Sequence, residues 1–164
     1  MTLTYDLAWI TLVGASATAI LDVWTATLRR LGVRSLDMAL IGRWIGHLAR
    51  GRIAHAAIAS APPVRAERAL GWLTHYAIGV GFAGLLLLAL GHGWTRAPTL
   101  LPAVAVGIAT VLAPLFVMQP AMGAGVASFR TSTPLKNCLR SVVNHCVFGV
   151  GLYAAAAALA WLAA

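Results

Sequence analysis

Residues 69–90 read ALGWLTHYAIGVGFAGLLLLAL, twenty-two positions without an acidic or basic-chain charge. The hydrocarbon core of a bilayer is about 30 Å thick, so a helix needs about 20 apolar residues to cross it. The stretch is therefore read as a membrane span. Residues 7–28, 98–118 and 141–162 have the same character, broken only by Asp22 in the first. In lipid every backbone N–H and C=O must be bonded within the chain, which leaves the helix as the only form for such segments. The expected fold is all-α: an integral membrane four-helix bundle, one domain over residues 1–164, built as two tandem helical hairpins. Pro114 is expected to kink the third span and Pro120 to end it.

Composition agrees. The chain is 60% hydrophobic and 10% charged, against about 25% charged in soluble domains. Its net charge of +8 invites a nucleic-acid reading, but the positions of the charges exclude it. Arg29, Arg30, Arg34, Arg43, Arg50, Arg52, Arg65 and Arg68 lie between spans one and two. Arg130, Lys136 and Arg140 lie between spans three and four. Only Arg96 lies between spans two and three. Positive loops stay in the cytoplasm, so both termini are expected outside and both long loops inside. The expected partners are the lipid bilayer and, at the cytoplasmic face, anionic head groups; a homo-oligomer is compatible with the pattern. Residues 1–6 lack a positive n-region, so the first span reads as retained rather than cleaved. Cys138 and Cys146 form no Cys-x-x-Cys pair, and a disulfide framework is not expected.

The first loop is more than linker. Leu36, Leu40, Ile41, Trp44, Ile45 and Leu48 recur at helical spacing, with Arg43, His47 and Arg50 beside them. This pattern predicts an amphipathic cytoplasmic helix at the membrane interface. Spans two and four share a motif: His75 with Gly79 and Gly81, and His145 with Gly149 and Gly151. Spans one and three match weakly through Ala17-Thr18 and Ala109-Thr110. The pattern suggests an internal repeat relating the two hairpins.

Ionisable groups inside a membrane are costly and usually face the bundle interior. Asp22 sits ~9 Å from the cytoplasmic end of its span at 1.5 Å per residue. His75, Gln119 and His145, with Asn144, lie near the same mouth. Asp22, His75, Gln119 and His145 are the predicted cofactor-binding residues. His75 and His145 are candidate ligands to haem or to a transition metal, with His47, His55 and Glu67 of the loop as further metal candidates. Asp22 would orient a ligand or balance charge. A second function class is a proton-coupled small-molecule transporter with Asp22 as the titrating group. A third is a non-catalytic subunit or scaffold whose polar groups fix packing. There is no Gly-x-Ser-x-Gly and no phosphate loop, so neither a serine hydrolase nor a P-loop nucleotidase has support.

Several motifs stand in a distinctive order: Asp22-Val-Trp24, Gly42-Arg-Trp44-Ile-Gly46-His47, Gly51-Arg-Ile-Ala-His55, Gly71-Trp72-Leu-Thr-His75-Tyr76, Met118-Gln-Pro-Ala-Met-Gly123 and His145-x-x-Phe148-Gly149-x-Gly151-Leu-Tyr153. Together they make the chain resemble a bacterial family of small four-span membrane proteins known as a domain of unknown function. The resemblance covers nearly the whole chain. It implies a bacterial inner-membrane location and supplies no activity. Ser128-Phe-Arg130-Thr-Ser-Thr133-Pro134 departs from the Ser-Lys-Thr-Pro stretch that the family carries there.

Overall fold

The computed structural model describes residues 2–33 and 35–163. Its long elements are α1 (Leu3–Arg30), α2 (Met38–Leu48), α3 (Glu67–Arg96), α4 (Leu100–Ala109), a π-helical turn (Pro114–Met118), a short α5 (Gln119–Ala121) and α6 (Pro134–Leu162). No strand occurs among the described residues. Four helical stretches, Leu3–Arg30, Glu67–Arg96, Leu100–Ala121 and Pro134–Leu162, are long and apolar enough to cross a membrane. In the most apolar 18-residue stretch of each, only 17% to 28% of the residues are buried within the protein. Side chains such as Leu88 and Leu101 stand largely exposed, an arrangement that lipid, not water, tolerates.

The helices overrun the predicted spans, and their ends have local causes. Thr2 caps α1, its hydroxyl accepting from the Tyr5 N–H, and Arg29 and Arg30 close the last turn against the helix dipole. The second span was expected to stop at Leu90; α3 breaks at the next residue, Gly91, whose φ of +69 is outside the helical range. Pro114 acts four residues upstream. Lacking an N–H, it cannot bond the Thr110 carbonyl, and the helix opens into a turn at Thr110–Val111 before resuming with π geometry. Pro120 does not itself end the span, because α5 continues to Ala121.

The chain divides into two compact units. The first comprises Met1–Val33, Tyr76–Thr110 and Val143–Ala164. Its core is Trp9, Val13 and Ala17 of α1, Ala83 and Leu86 of α3, Ala103 of α4, and Phe148, Leu152, Ala155 and Ala156 of α6. Four helices thus share one apolar centre. Their backbones meet at small residues, the usual means of helix association where lipid removes the hydrophobic drive. A Cβ on Gly14 would lie 2.5 Å from the Val80 Cα, and one on Gly79 would strike the Thr18 hydroxyl. A Cβ on Gly107 would lie 2.6 Å from the Gly149 Cα, and one on Gly149 would lie 2.8 Å from the Val104 Cα. The first glycine of each His-x-x-x-Gly-x-Gly stretch is a helix contact: Gly79 seats α3 on α1, and Gly149 seats α6 on α4. The second glycine differs between them. Gly151 approaches Ala17, whereas Gly81 meets nothing within 4 Å.

The second unit comprises Arg34–His75 and Val111–Val142. Asp37 caps α2, its carboxylate accepting from the Ala39 N–H at 2.9 Å. The amphipathic helix of the first loop is present, beginning after Leu36. Its apolar side is partly used within the protein: Ile41 and His47 are buried, and Gly42 lies flat on the start of α3 against the Glu67 carbonyl.

Candidate functional site

In the first unit a layer of polar groups lies beyond the apolar core, toward the C-terminal end of α1. The Tyr76 hydroxyl of α3 donates to Asp22 Oδ2 at 3.0 Å. Two residues on, the Trp24 indole N–H donates to Asn144 Oδ1 of α6 at 3.1 Å. The neighbour of Asn144, His145, meets the Thr110 hydroxyl of α4 at 2.7 Å through Nδ1. The layer thus links all four helices. Thr110 also donates to the Gly107 carbonyl at 2.6 Å. With that hydrogen committed, Nδ1–H of His145 is the donor to Thr110, which leaves Nε2 as the bare ring nitrogen.

In the second unit the loop 49–66 is held by a dense set of bonds. Arg43 donates from Nε and Nη2 to the two carboxylate oxygens of Glu67, at 2.9 and 2.8 Å. Its Nη1 donates to the carbonyls of Ala59 at 3.0 Å and Ala61 at 3.1 Å. Donation to the Glu67 carboxylate raises the pKa of Arg43, so the guanidinium remains charged. The His55 and Ile58 N–H groups donate to the Ala121 and Met122 carbonyls.

At the centre of this loop His47 Nδ1 lies 2.9 Å from His55 Nε2, and His47 Nε2 lies 2.9 Å from the Pro62 carbonyl. A carbonyl only accepts, so His47 carries its hydrogen on Nε2. In neutral rings His47 Nδ1 is then the acceptor, and His55 donates from Nε2. That assignment leaves His55 Nδ1 unprotonated, buried and without a hydrogen-bond partner among the described residues. Burial, then the positive fields of His47 and Arg52, holds His55 below its ordinary value of 6.5; the Ala121 carbonyl opposes them. The sign follows. The docked loop binds this proton less readily than the released loop, so docking is full above the ordinary imidazole range and weakens as the pH falls through it. Amide exchange of His55 and Ile58, corrected for intrinsic rates, is expected to accelerate from about pH 8 to about pH 5. His55→Gln, which keeps a neutral donor toward His47, is expected to flatten that dependence. Flat protection in the wild-type chain would contradict the assignment.

The predicted site residues divide between the units. Asp22 and His145 belong to the first, His75 and Gln119 to the second. Gln119 Oε1 accepts from the buried Ser128 hydroxyl at 2.9 Å, in a loop where Ala127 and Ser128 both hold positive φ. His75 stacks edgewise on Trp72 with ring centroids 5.8 Å apart. The loop candidates are engaged elsewhere, His47 with His55 and Glu67 with Arg43. Among the described residues no three His, Cys, Asp or Glu side chains converge as a metal ion requires. Tyr76, Thr110 and Trp24 were not picked as site residues. Tyr76 follows His75 directly, and Thr110 stood in the weak repeat match.

The fold and its polar layer define a multi-pass helical membrane protein. The sequence matches the model of one family, described as Protein of unknown function (DUF2938), over residues 11–159. The chain belongs to that family. No curated protein and no solved structure matches it.

Proposed function

We propose that the chain is a proton-coupled small-molecule transporter of the bacterial inner membrane, with Asp22 as the titrating group and both long loops cytoplasmic. The observation that carries this reading is the pairing of Asp22 with Tyr76. A carboxylate within an apolar span, hydrogen-bonded to the neighbouring helix, is the arrangement that proton relays use. Tyr76 donates to the charged form, and the wider layer of Trp24, Asn144, Thr110 and His145 gives a polar floor on which a solute is held. Orientation is supported by the placement of eleven of the twelve basic residues in the two long loops.

The test is flux in proteoliposomes carrying a trapped pH dye, challenged with panels of small cations, anions and neutral solutes. The wild-type chain is expected to move protons with at least one class. Asp22→Asn abolishes the coupling, and Tyr76→Phe weakens it about tenfold, the effect of losing one hydrogen bond to a charged group. Flux that survives in Asp22→Asn would overturn the reading.

A second reading, ligation of haem, rests on His145. Its Nδ1 is fixed by Thr110 and its Nε2 is bare, the tautomer an axial ligand needs. A visible spectrum of the purified protein with a haem band, lost in His145→Ala, would favour it. A colourless folded sample would remove it.

A further inference from the structure

The opposite end of the first unit, near the N-terminus of α1, holds a cavity of about 200 Å³ lined by Tyr5 and Trp9, by Thr95 and Arg96, and by Leu159, Ala160 and Ala163. Its floor is apolar: Trp9 is 4% exposed. One cation stands at its edge. The chain has four acidic residues, and each is engaged away from Arg96. Asp6 bonds His92 at 2.8 Å, Asp22 accepts from Tyr76, Asp37 caps α2 and Glu67 pairs with Arg43. Arg96 has no ion pair or hydrogen bond among the described residues, although a carboxylate lies beside the Tyr5 that shares its cavity.

The segment that carries Arg96 is fixed in advance. The break at Gly91 redirects the chain. The Thr95 hydroxyl donates to the His92 carbonyl at 3.0 Å, and the Trp94 indole donates to the Thr99 hydroxyl at 3.2 Å. The sequence adds an independent argument. Arg96 is the one basic residue between spans two and three, in a chain that otherwise confines its positive charge to the two long loops. The last-turn helix dipole explains a cation there, but not a cation placed at the rim of a largely apolar cavity with each Asp and Glu side chain engaged elsewhere.

We propose that this cavity binds a small amphipathic anion, with phosphate or carboxylate oxygens on Arg96 and an apolar chain along Trp9, Leu159 and Ala160. Guanidinium is suited to the head, because it bonds two oxygens at once and stays charged. The Tyr5 hydroxyl supplies a further donor, the Thr95 hydroxyl hydrogen being held by the His92 carbonyl, and Trp9, Leu159, Ala160 and Ala163 face the chain. The head belongs either to a membrane phospholipid or to a free amphiphile, and the two sources separate by experiment.

Delipidated protein in neutral detergent is titrated with short-chain phosphatidic acid, short-chain phosphatidylcholine, hexanoate and inorganic phosphate, with native mass spectrometry and calorimetry as readouts. Phosphatidic acid or hexanoate is expected to bind in preference to phosphatidylcholine. Arg96→Gln is expected to weaken that binding at least about tenfold, the loss of a charge-assisted bond, while Arg96→Lys retains part of it. Ala160→Phe, which fills the cavity and leaves Arg96 in place, is expected to block it too. Binding of phosphatidic acid alone assigns the site to lipid, and binding of hexanoate assigns it to a free amphiphile. Equal affinity for the zwitterionic and anionic lipids, anion binding unchanged in Arg96→Gln, or inorganic phosphate binding as tightly as either amphiphile would overturn the proposal.

Discussion

Gly42→Ala is expected to unseat α2 from the start of α3. A Cβ at Gly42 would fall on the Glu67 carbonyl oxygen and within 2.7 Å of the Gly71 N, and a Cβ at Gly71 would fall on the Met38 carbonyl oxygen. All of these are backbone atoms, so no rotamer change relieves the overlap. The helices have to separate, and Arg43, the next residue on α2, is carried away from Glu67. Overpacking usually costs about 1–3 kcal/mol, and this substitution is expected at or above the upper end. Gly81→Ala is the matched control. It lies in the repeated glycine motif with open space around it, and alanine gains about 0.8–1 kcal/mol of helix propensity over glycine. Thermal unfolding in detergent, with amide exchange of residues 38–48, separates the two. Wild-type stability and unchanged α2 protection in Gly42→Ala would contradict the packing.

Arg43→Ala is expected to release the loop that α2 holds. The substitution removes the donors to both Glu67 oxygens and to the Ala59 and Ala61 carbonyls at once. It leaves a carboxylate at 19% side-chain exposure without its counter-ion. Among the described residues, only the Val64 N–H, at 3.1 Å, remains to it. Amides of residues 53–62 should then exchange at rates approaching those of an unstructured segment. Arg43→Lys is not expected to rescue the loop, because one ammonium cannot bond a carboxylate as a fork and reach two carbonyls as well. Glu67→Gln is the milder change, since the amide oxygen still accepts and the guanidinium keeps its carbonyl partners. Equal exchange in Arg43→Ala and wild type would show that the loop is held by other contacts.

The contrast between these sites and the spans shows what hydropathy carries and what it omits. Four apolar runs were legible because a membrane demands length and composition over a whole segment, and residue-by-residue detail is unnecessary. The cap at Asp37, the end of a span next to Gly91 and the disturbance around Pro114 are local rules of backbone chemistry, and all appear near where such rules place them. Partner choice is different. Arg43 reads in sequence as the polar side of an amphipathic helix and Glu67 as a metal candidate; at a separation of 24 positions nothing in either pattern announces that they pair. His47 and His55 read as potential ligands because imidazole ligates metals. Their distance and the Pro62 carbonyl make them donor and acceptor to one another, a pairing that the sequence does not announce. Asp22 is legible from its cost in lipid, but its hydrogen bond to Tyr76 is a choice of partner that hydropathy does not carry. Thr110 was visible only as half of a weak internal match. Its role depends on the helix opening at Thr110–Val111, which follows from a proline four residues later.

The proposed transport function requires Asp22, bonded to Tyr76, to take up and release a proton. Infrared difference spectroscopy of the reconstituted protein across a pH change reads that event directly, through the carbonyl band of a protonated carboxyl. The expected result is one such band that titrates in the wild-type chain, shifts in Tyr76→Phe and is absent in Asp22→Asn. A wild-type spectrum without a titrating carboxyl band, or one that persists unaltered in Asp22→Asn, would contradict the assignment of Asp22 as the proton-coupling group.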